Sequence, residues 1–248
     1  MRSSGAPGAT RLIPGVAVEL SSPPRGHWAG AWLPGPRVGY NDAVLTLEQI
    51  QHNYETGLER ARRYFMGDAD VQRAAKRLAA ALGEMGIPYA ICGALAVTAY
   101  GHARLTQDVD VLLTADGLRR FKERWLGKGW VERFPGSKGM RDAEHNVKID
   151  VLLTGDYPGD GKPKPVRFPA PETVAIDVGG TATISLPRLI ELKLASGMTA
   201  PDRPRDLDDV IQLVRANALP RDFGAGLDPW VRTKFDELWE YAQIPVEP

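Results

Sequence analysis

Residues 108–114 read DVDVLLT and residues 148–154 read KIDVLLT. Each is a short apolar run with aspartate at its head and turn-forming residues beyond its tail. Runs of this length and composition read as β-strands. Side chains alternate along a strand, so Asp108 and Asp110 point one way while Val109 and Val111 point the other. The two aspartate α-carbons then lie ~6.5 Å apart. If 148–153 pairs with 108–113, Asp150 joins them from ~4.8 Å across the ladder. With that pairing, three carboxylates converge on one face of one sheet. The residues around the two copies differ, so the repetition reads as two strands under the same local demand.

Such a cluster is poor structure by itself. Two like charges ~5 Å apart repel by about 3 kcal/mol at an effective dielectric of about 20. A hard divalent cation reverses the sign. Mg²⁺ takes one or two carboxylates, keeps waters and accepts substrate phosphates. Two such ions can hold the attacking and the leaving oxygen of a phosphoryl displacement. The bland alternative is that these aspartates merely end their strands in solvent.

The rest of the chain alternates in the same manner. A helix is expected over 70–85, with Val71, Ala75, Leu78, Ala79 and Leu82 as its apolar stripe and Gly86 as its stop. Then come a strand over 87–92, a helix over 93–101, the strand at 108–113 and a helix over 115–129 capped by Thr114. The strand at 147–153 leads into a loop, a hairpin around Gly179-Gly180, and a helix from Ser185 stopped by Gly197. Two further helices finish the chain. The expected fold is α/β (α+β): a small mixed β-sheet flanked by helices, with a helical C-terminal part. Four segments follow: an irregular arm over 1–40, an N-terminal helix over 41–69 opened by Thr46 and Gln49 at capping-box spacing, a core over 70–184, and helices over 185–248. The arm carries thirteen Gly or Pro residues, which disfavours independent folding.

Composition excludes several classes. Acidic and basic residues balance at 31 each, so no global field announces a nucleic-acid partner. Cys92 is the single cysteine, which rules out a disulfide framework and fits a reducing cytosol. No run approaches a membrane-spanning helix, so a cytoplasmic protein without membrane contact is expected. GDYPGDGKP has a phosphate-loop look, but its glycine spacing is one residue too long and Pro163 stands where Ser or Thr belongs. His27, His52, His102 and His145 share no metal-ligand spacing. Trp230, Phe235, Trp239 and Tyr241 read as helix packing.

Two more features bear on chemistry. Gly93 lies between an apolar strand and a helix start, where backbone N–H groups favour a phosphate and glycine permits close approach. Cys92 beside it reads as core. Lys193 falls on an apolar stripe with Leu186, Leu189 and Ile190, so its ammonium needs an inward partner, either a phosphate or a carboxylate. The alternative is a stem that packs while the head reaches water.

Gly93-Ala94, Tyr100-Gly101, Arg104, Thr106, Asp108 and Asp110, followed by KIDVLL, resemble the signature of the polymerase-β-like nucleotidyltransferase superfamily. Within it the likeness is closest to the abortive-infection, type IV toxin–antitoxin group. That group carries a later motif matched here by Leu189, Lys193 and Arg205-Asp206-Leu207-Asp208-Asp209. The resemblance covers about residues 70–215. It implies an NTP substrate and Mg²⁺ or Mn²⁺ held by Asp108, Asp110 and Asp150. It also implies nucleotide contacts from Gly93, Ala94, Arg104, Thr106, Lys193, Arg205, Asp206 and Asp209. Arg205 would bind phosphate or pair with Asp209. An RNA acceptor such as a tRNA 3′ end, and a cognate antitoxin, are further implications. One departure stands out: the family usually has Gly-Ser where this chain has Gly93-Ala94, so a phosphate-binding hydroxyl is missing. Two alternatives stay open: transfer to a small molecule such as an aminoglycoside, and a degenerate member that binds nucleotide or a partner without turnover.

Overall fold

The computed structural model describes residues 70–245. The arm over 1–40, the helix over 41–69, His27 and His52 lie outside the described residues.

Helix α1 (70–84) ends as its glycine requires. Gly86 has φ +59°, the Ile87 N–H donates to the Leu82 carbonyl, and the Gly86 N–H donates to that of Gly83. This is a Schellman closure, sealed by the buried Ile87 and Leu82 side chains. Strand β1 is shorter than expected, Ala90–Ile91. Ile87 is spent on the helix end and Pro88 has no N–H to give a ladder. Helix α2 (Gly93–Ala99), strand β2 (Asp108–Leu113) and helix α3 (Ala115–Trp125) follow. Thr114 caps α3 by accepting the Gly117 N–H at 3.0 Å.

The next pair, β3 (Trp130–Glu132) and β4 (Met140–Asp142), is not among the strands expected from the sequence. Three-residue strands carrying charges have no readable period, and tertiary contacts hold them. Trp130 meets Phe121 edge-on at 5.4 Å. Asp142, fully buried, is neutralised by Arg77 and bonded at 2.7 Å to His145 Nδ1, while Arg77 also stacks on Trp130. Strand β5 (Val147–Leu153) comes next, then a short helix α4 (Pro171–Val174) and the hairpin β6 (Ala175–Val178) and β7 (Thr181–Ile184). Helices α5 (Leu186–Thr199), α6 (Pro204–Ala216) and α7 (Pro229–Ala242) complete the described chain, with a 3₁₀ turn over Arg221–Gly226.

The strands form one mixed sheet in the order β3-β4-β5-β2-β1-β7-β6. The two repeated motifs lie side by side at its centre. β2 and β5 are parallel, with Asp108 opposite Lys148 and Asp110 opposite Asp150. Alternation sorts their side chains. Val109, Val111, Leu113, Ile149 and Val151 enter an apolar cluster with α1 and α3. Leu112 enters a second cluster on the other face, with α2, α5, α6 and α7. The fold class is therefore the expected one, helices on both faces of a mixed sheet. Among the described residues no helix is long and apolar enough to cross a membrane.

Two expected helix signals differ. Ser185 precedes α5, but its side chain makes no capping bond. Gly197 does not stop α5, which runs on to Thr199. Instead it lets α6 approach: a β-carbon there would lie 2.5 Å from Leu207 Cγ.

Candidate functional site

The acidic heads of β2 and β5 share the face covered by α2 and α5, but they lie at the ends of the strands, where the apolar cover gives way to a cleft of about 500 Å³. Asp108, Asp110 and Asp150 line it together with Gly93, Ala94, Arg104, Thr106, Lys193, Arg205 and Asp206. Of the residues expected from sequence, Asp209 alone is not among the lining.

Gly93 is the tightest point. Its φ is +59°, and a β-carbon there would stand 1.8 Å from Asp110 Oδ2 and 2.6 Å from Asp110 Cγ. The carboxylate therefore lies against the bare glycine backbone. The Cys92 N–H donates to the Asp110 carbonyl at 2.8 Å, tying the turn to the strand. Burial pushes the Asp110 carboxyl up to about 6, assisted by the charges of Asp108 and Asp150 and opposed by Lys193 and Lys148. The neighbouring Cys92 thiol is also pushed up, first by burial and then by Asp110, so it is inert core.

Asp108 and Asp150 are engaged differently. Thr106 Oγ1 donates to Asp108 Oδ1 at 2.5 Å. The Lys148 ammonium bonds Asp150 Oδ2 and stands 3.7 Å from Asp108 Oδ2. Arg133 approaches Asp150 Oδ1 at 3.5 Å. Among the described residues no three His, Cys, Asp or Glu side chains converge as a ready metal cage. The carboxylates share a face, but a lysine occupies two of them. The donor set still fits a hard divalent cation: the oxygens are hard, Asp108, Asp110 and Asp150 line one cleft, and Lys148 already stands in as a cation between strands.

The opposite wall is built on α5 and α6. Lys193, 6% exposed, points inward as its stripe requires. Its partners are the later acids, Asp206 at 2.9 Å and Asp209 at 2.6 Å, rather than the β-strand carboxylates. Asp209 also receives Arg104 and lies behind the lining. Burial raises the Asp209 carboxyl more than Lys193 and Arg104 lower it. At Asp206 burial likewise pushes up, yet Lys193 leads a set of partners that brings it below the usual range. Among the described residues the Asp208 side chain accepts only from Gln212, at 3.2 Å, and it does not line the cleft. Asp209 is thus the tie that aims Arg104 and Lys193. Asp209→Ala should lower stability by about 2 kcal/mol, because it leaves the partly buried Arg104 guanidinium without its carboxylate while Lys193 keeps Asp206. The urea unfolding midpoint checks this, and an unchanged midpoint contradicts it.

Several lining residues escaped sequence reasoning. Lys148 sits two positions before Asp150, so strand alternation alone put it on the acidic face; that signal was readable. Pro158, Gly159 and Phe168 belong to the loop after β5 and carried no such signal. That loop is anchored by Lys164, which donates to the Pro158 carbonyl at 2.6 Å and to Thr199 Oγ1 at 2.9 Å. Gly159 fits against α5 where a β-carbon would be 2.4 Å from Thr199 Oγ1. With Leu152, Leu189 and Leu192 these residues give the cleft an apolar side facing its charged one.

No family model matches the chain, and no curated protein matches it. Solved structures do. An antigenic nucleotidyltransferase-like protein from Paracoccidioides brasiliensis is 19% identical over 59% of this chain and 76% of that one, with a TM-score of 0.40. ANT(2″)-Ia in complex with adenylyl-2″-tobramycin is 14% identical over 64% of this chain and 92% of its own, with a TM-score of 0.42. An H. pylori protein assigned as a nucleotidyltransferase is 17% identical over 73% and 93%, with a TM-score of 0.39.

Proposed function

We propose that this protein is a metal-dependent nucleotidyltransferase that moves a nucleoside monophosphate from an NTP to a hydroxyl of an RNA, such as a tRNA 3′ end. The observation that carries the reading is the strand register. Asp110 stands directly opposite Asp150, with Asp108 on the same face of the same cleft. Mg²⁺ or Mn²⁺, bound by Asp108, Asp110 and Asp150, would neutralise the triphosphate and the leaving pyrophosphate. The turn at Gly93-Ala94 would hold the phosphates through first-turn N–H groups, which have no partner within α2. Arg104, Lys193 and Arg205 add positive charge on the facing wall, and Thr106 and Asp206 orient their neighbours. Asp150 takes the proton of the acceptor hydroxyl. That oxygen bonds to the α-phosphorus, the bond from it to the α,β-bridging oxygen breaks, and pyrophosphate leaves with the electron pair. The chain's contribution is positioning and charge neutralisation. A toxin-like role under a cognate antitoxin is part of the same proposal, supported by the resemblance over about residues 70–215.

A second reading keeps the reaction and replaces RNA by a small hydroxylated molecule such as an aminoglycoside. The even balance of 31 acidic and 31 basic residues favours it, since RNA binding usually shows in a basic face. One experiment separates the readings. The protein is incubated with NTPs labelled at the α-phosphate, total RNA and, separately, a panel of aminoglycosides, with Mg²⁺ or with EDTA. Metal-dependent label in RNA is the expected result. Label only in a small molecule transfers the assignment to the second reading. No label in either leaves Ala94 as the mark of a non-catalytic member and defeats both.

A further inference from the structure

Four polar side chains occupy the acidic face of the central strand pair. The parallel register sets Asp108 opposite Lys148 and Asp110 opposite Asp150. Three corners of this square are carboxylates and the fourth is an ammonium. Lys148 bonds Asp150 Oδ2 and approaches Asp108 Oδ2 at 3.7 Å, so it spans both strands. A lysine is a compact point charge on a flexible stem, and this one is about a third exposed. It has both a reason to sit on the acids and a path to leave them. The oxygen atoms it uses are among those a divalent cation would need.

We propose that Lys148 is a tethered counter-ion that competes with the divalent cation for Asp108 and Asp150. Metal enters only as the ammonium swings out toward the cleft mouth. The affinity for metal alone is thereby held down, and a nucleotide that arrives with its own metal supplies the displacing charge. This inference rests on the reading of the three aspartates as a metal site. A merely structural ion pair would give a different result, because its removal would not improve metal binding.

The test uses Mn²⁺ alone, without nucleotide, titrated into the full chain and followed by the electron paramagnetic resonance of the free ion. Lys148→Met should bind Mn²⁺ about three- to fivefold more tightly than the unmodified chain, the loss of the competing ammonium. Lys148→Arg, which keeps a charge on the acids, should not gain affinity. In EDTA, Lys148→Met should melt at a lower temperature than the unmodified chain and recover more on Mn²⁺ addition. Equal or weaker Mn²⁺ binding by Lys148→Met overturns this inference and leaves the metal reading standing. Absence of Mn²⁺ binding by both chains at millimolar metal overturns both. A measurement on the unmodified protein guards against a variant that fails to fold. Acylation of Lys148, read by mass spectrometry, should quicken when Mn²⁺ is added, since the ammonium is released. An unchanged or slower rate contradicts the displacement.

Discussion

Asp110→Asn should abolish nucleotidyl transfer and, in EDTA at pH 8, make the protein more stable than the native chain. Both effects come from one fact: the Asp110 carboxyl is buried beside Asp108 and Asp150, which with burial holds it up at about 6. In the unfolded chain it would titrate near 3.9. The folded state therefore binds this proton more tightly than the unfolded state. Below pH ~4 both states carry the proton and nothing is lost. As pH rises through ~6 the folded state must ionise against its neighbours, and above that the cost is complete, at most about 3 kcal/mol. Asp110→Asn removes the ionisation while keeping the size of the group. Its melting temperature in EDTA should exceed the native value at pH 8 and converge with it at pH 4. Mg²⁺ should raise the native melting temperature and leave the variant unmoved. Transfer should fall by about a thousandfold or more, as expected when charge stabilisation at the reacting phosphate is lost. A variant that is active, or less stable in EDTA at pH 8, would contradict the account of the cluster.

Gly93→Ala should be nearly as damaging, although it adds only a methyl group. Two penalties combine. The φ of +59° suits glycine and strains alanine by about 1 kcal/mol. The added β-carbon would stand 1.8 Å from Asp110 Oδ2, which real atoms do not tolerate, so Asp110 or the turn must move. Overpacking of this kind costs about 1–3 kcal/mol. A total loss on the order of 2–4 kcal/mol is expected in urea unfolding. A shift of about 1 Å in the carboxylate should reduce transfer about a hundredfold even in the molecules that fold. Gly83→Ala, in α1 with nothing within 4 Å of its β-carbon, is the control that should leave transfer intact and stability unchanged or up to about 1 kcal/mol higher. Equal behaviour of the two variants would show that the 93–110 contact is unimportant.

The contrast between these glycines shows how far the sequence could be read. Gly86 was legible as a helix stop because its neighbours supply a complete local pattern, and the hydrogen bonds that close α1 are local too. Gly197 was misread as a stop, since its demand comes from Leu207 on another helix. Gly93 was legible as a turn between strand and helix, but its contact with Asp110 spans two elements and left no local trace. The same division holds for the acids. Asp108, Asp110 and Asp150 were visible because strand alternation is a two-residue rule. Lys148 obeyed that rule as well, yet its bonds to both aspartates depend on which strand lies beside which.

Local chemistry therefore determined the elements: apolar periodicity, the Thr114 cap, the Gly179-Gly180 hairpin and the side of each strand on which the acids fall. Those follow from backbone geometry within a few residues. Tertiary structure alone decided that β2 and β5 run parallel and in register, that β3 and β4 exist at the edge, that Asp209 holds Arg104 and Lys193, and that the loop at Pro158-Gly159 walls the cleft. Each of these is a contact between segments distant in the chain. Its energy comes from burial and charge pairing that no short stretch of sequence contains.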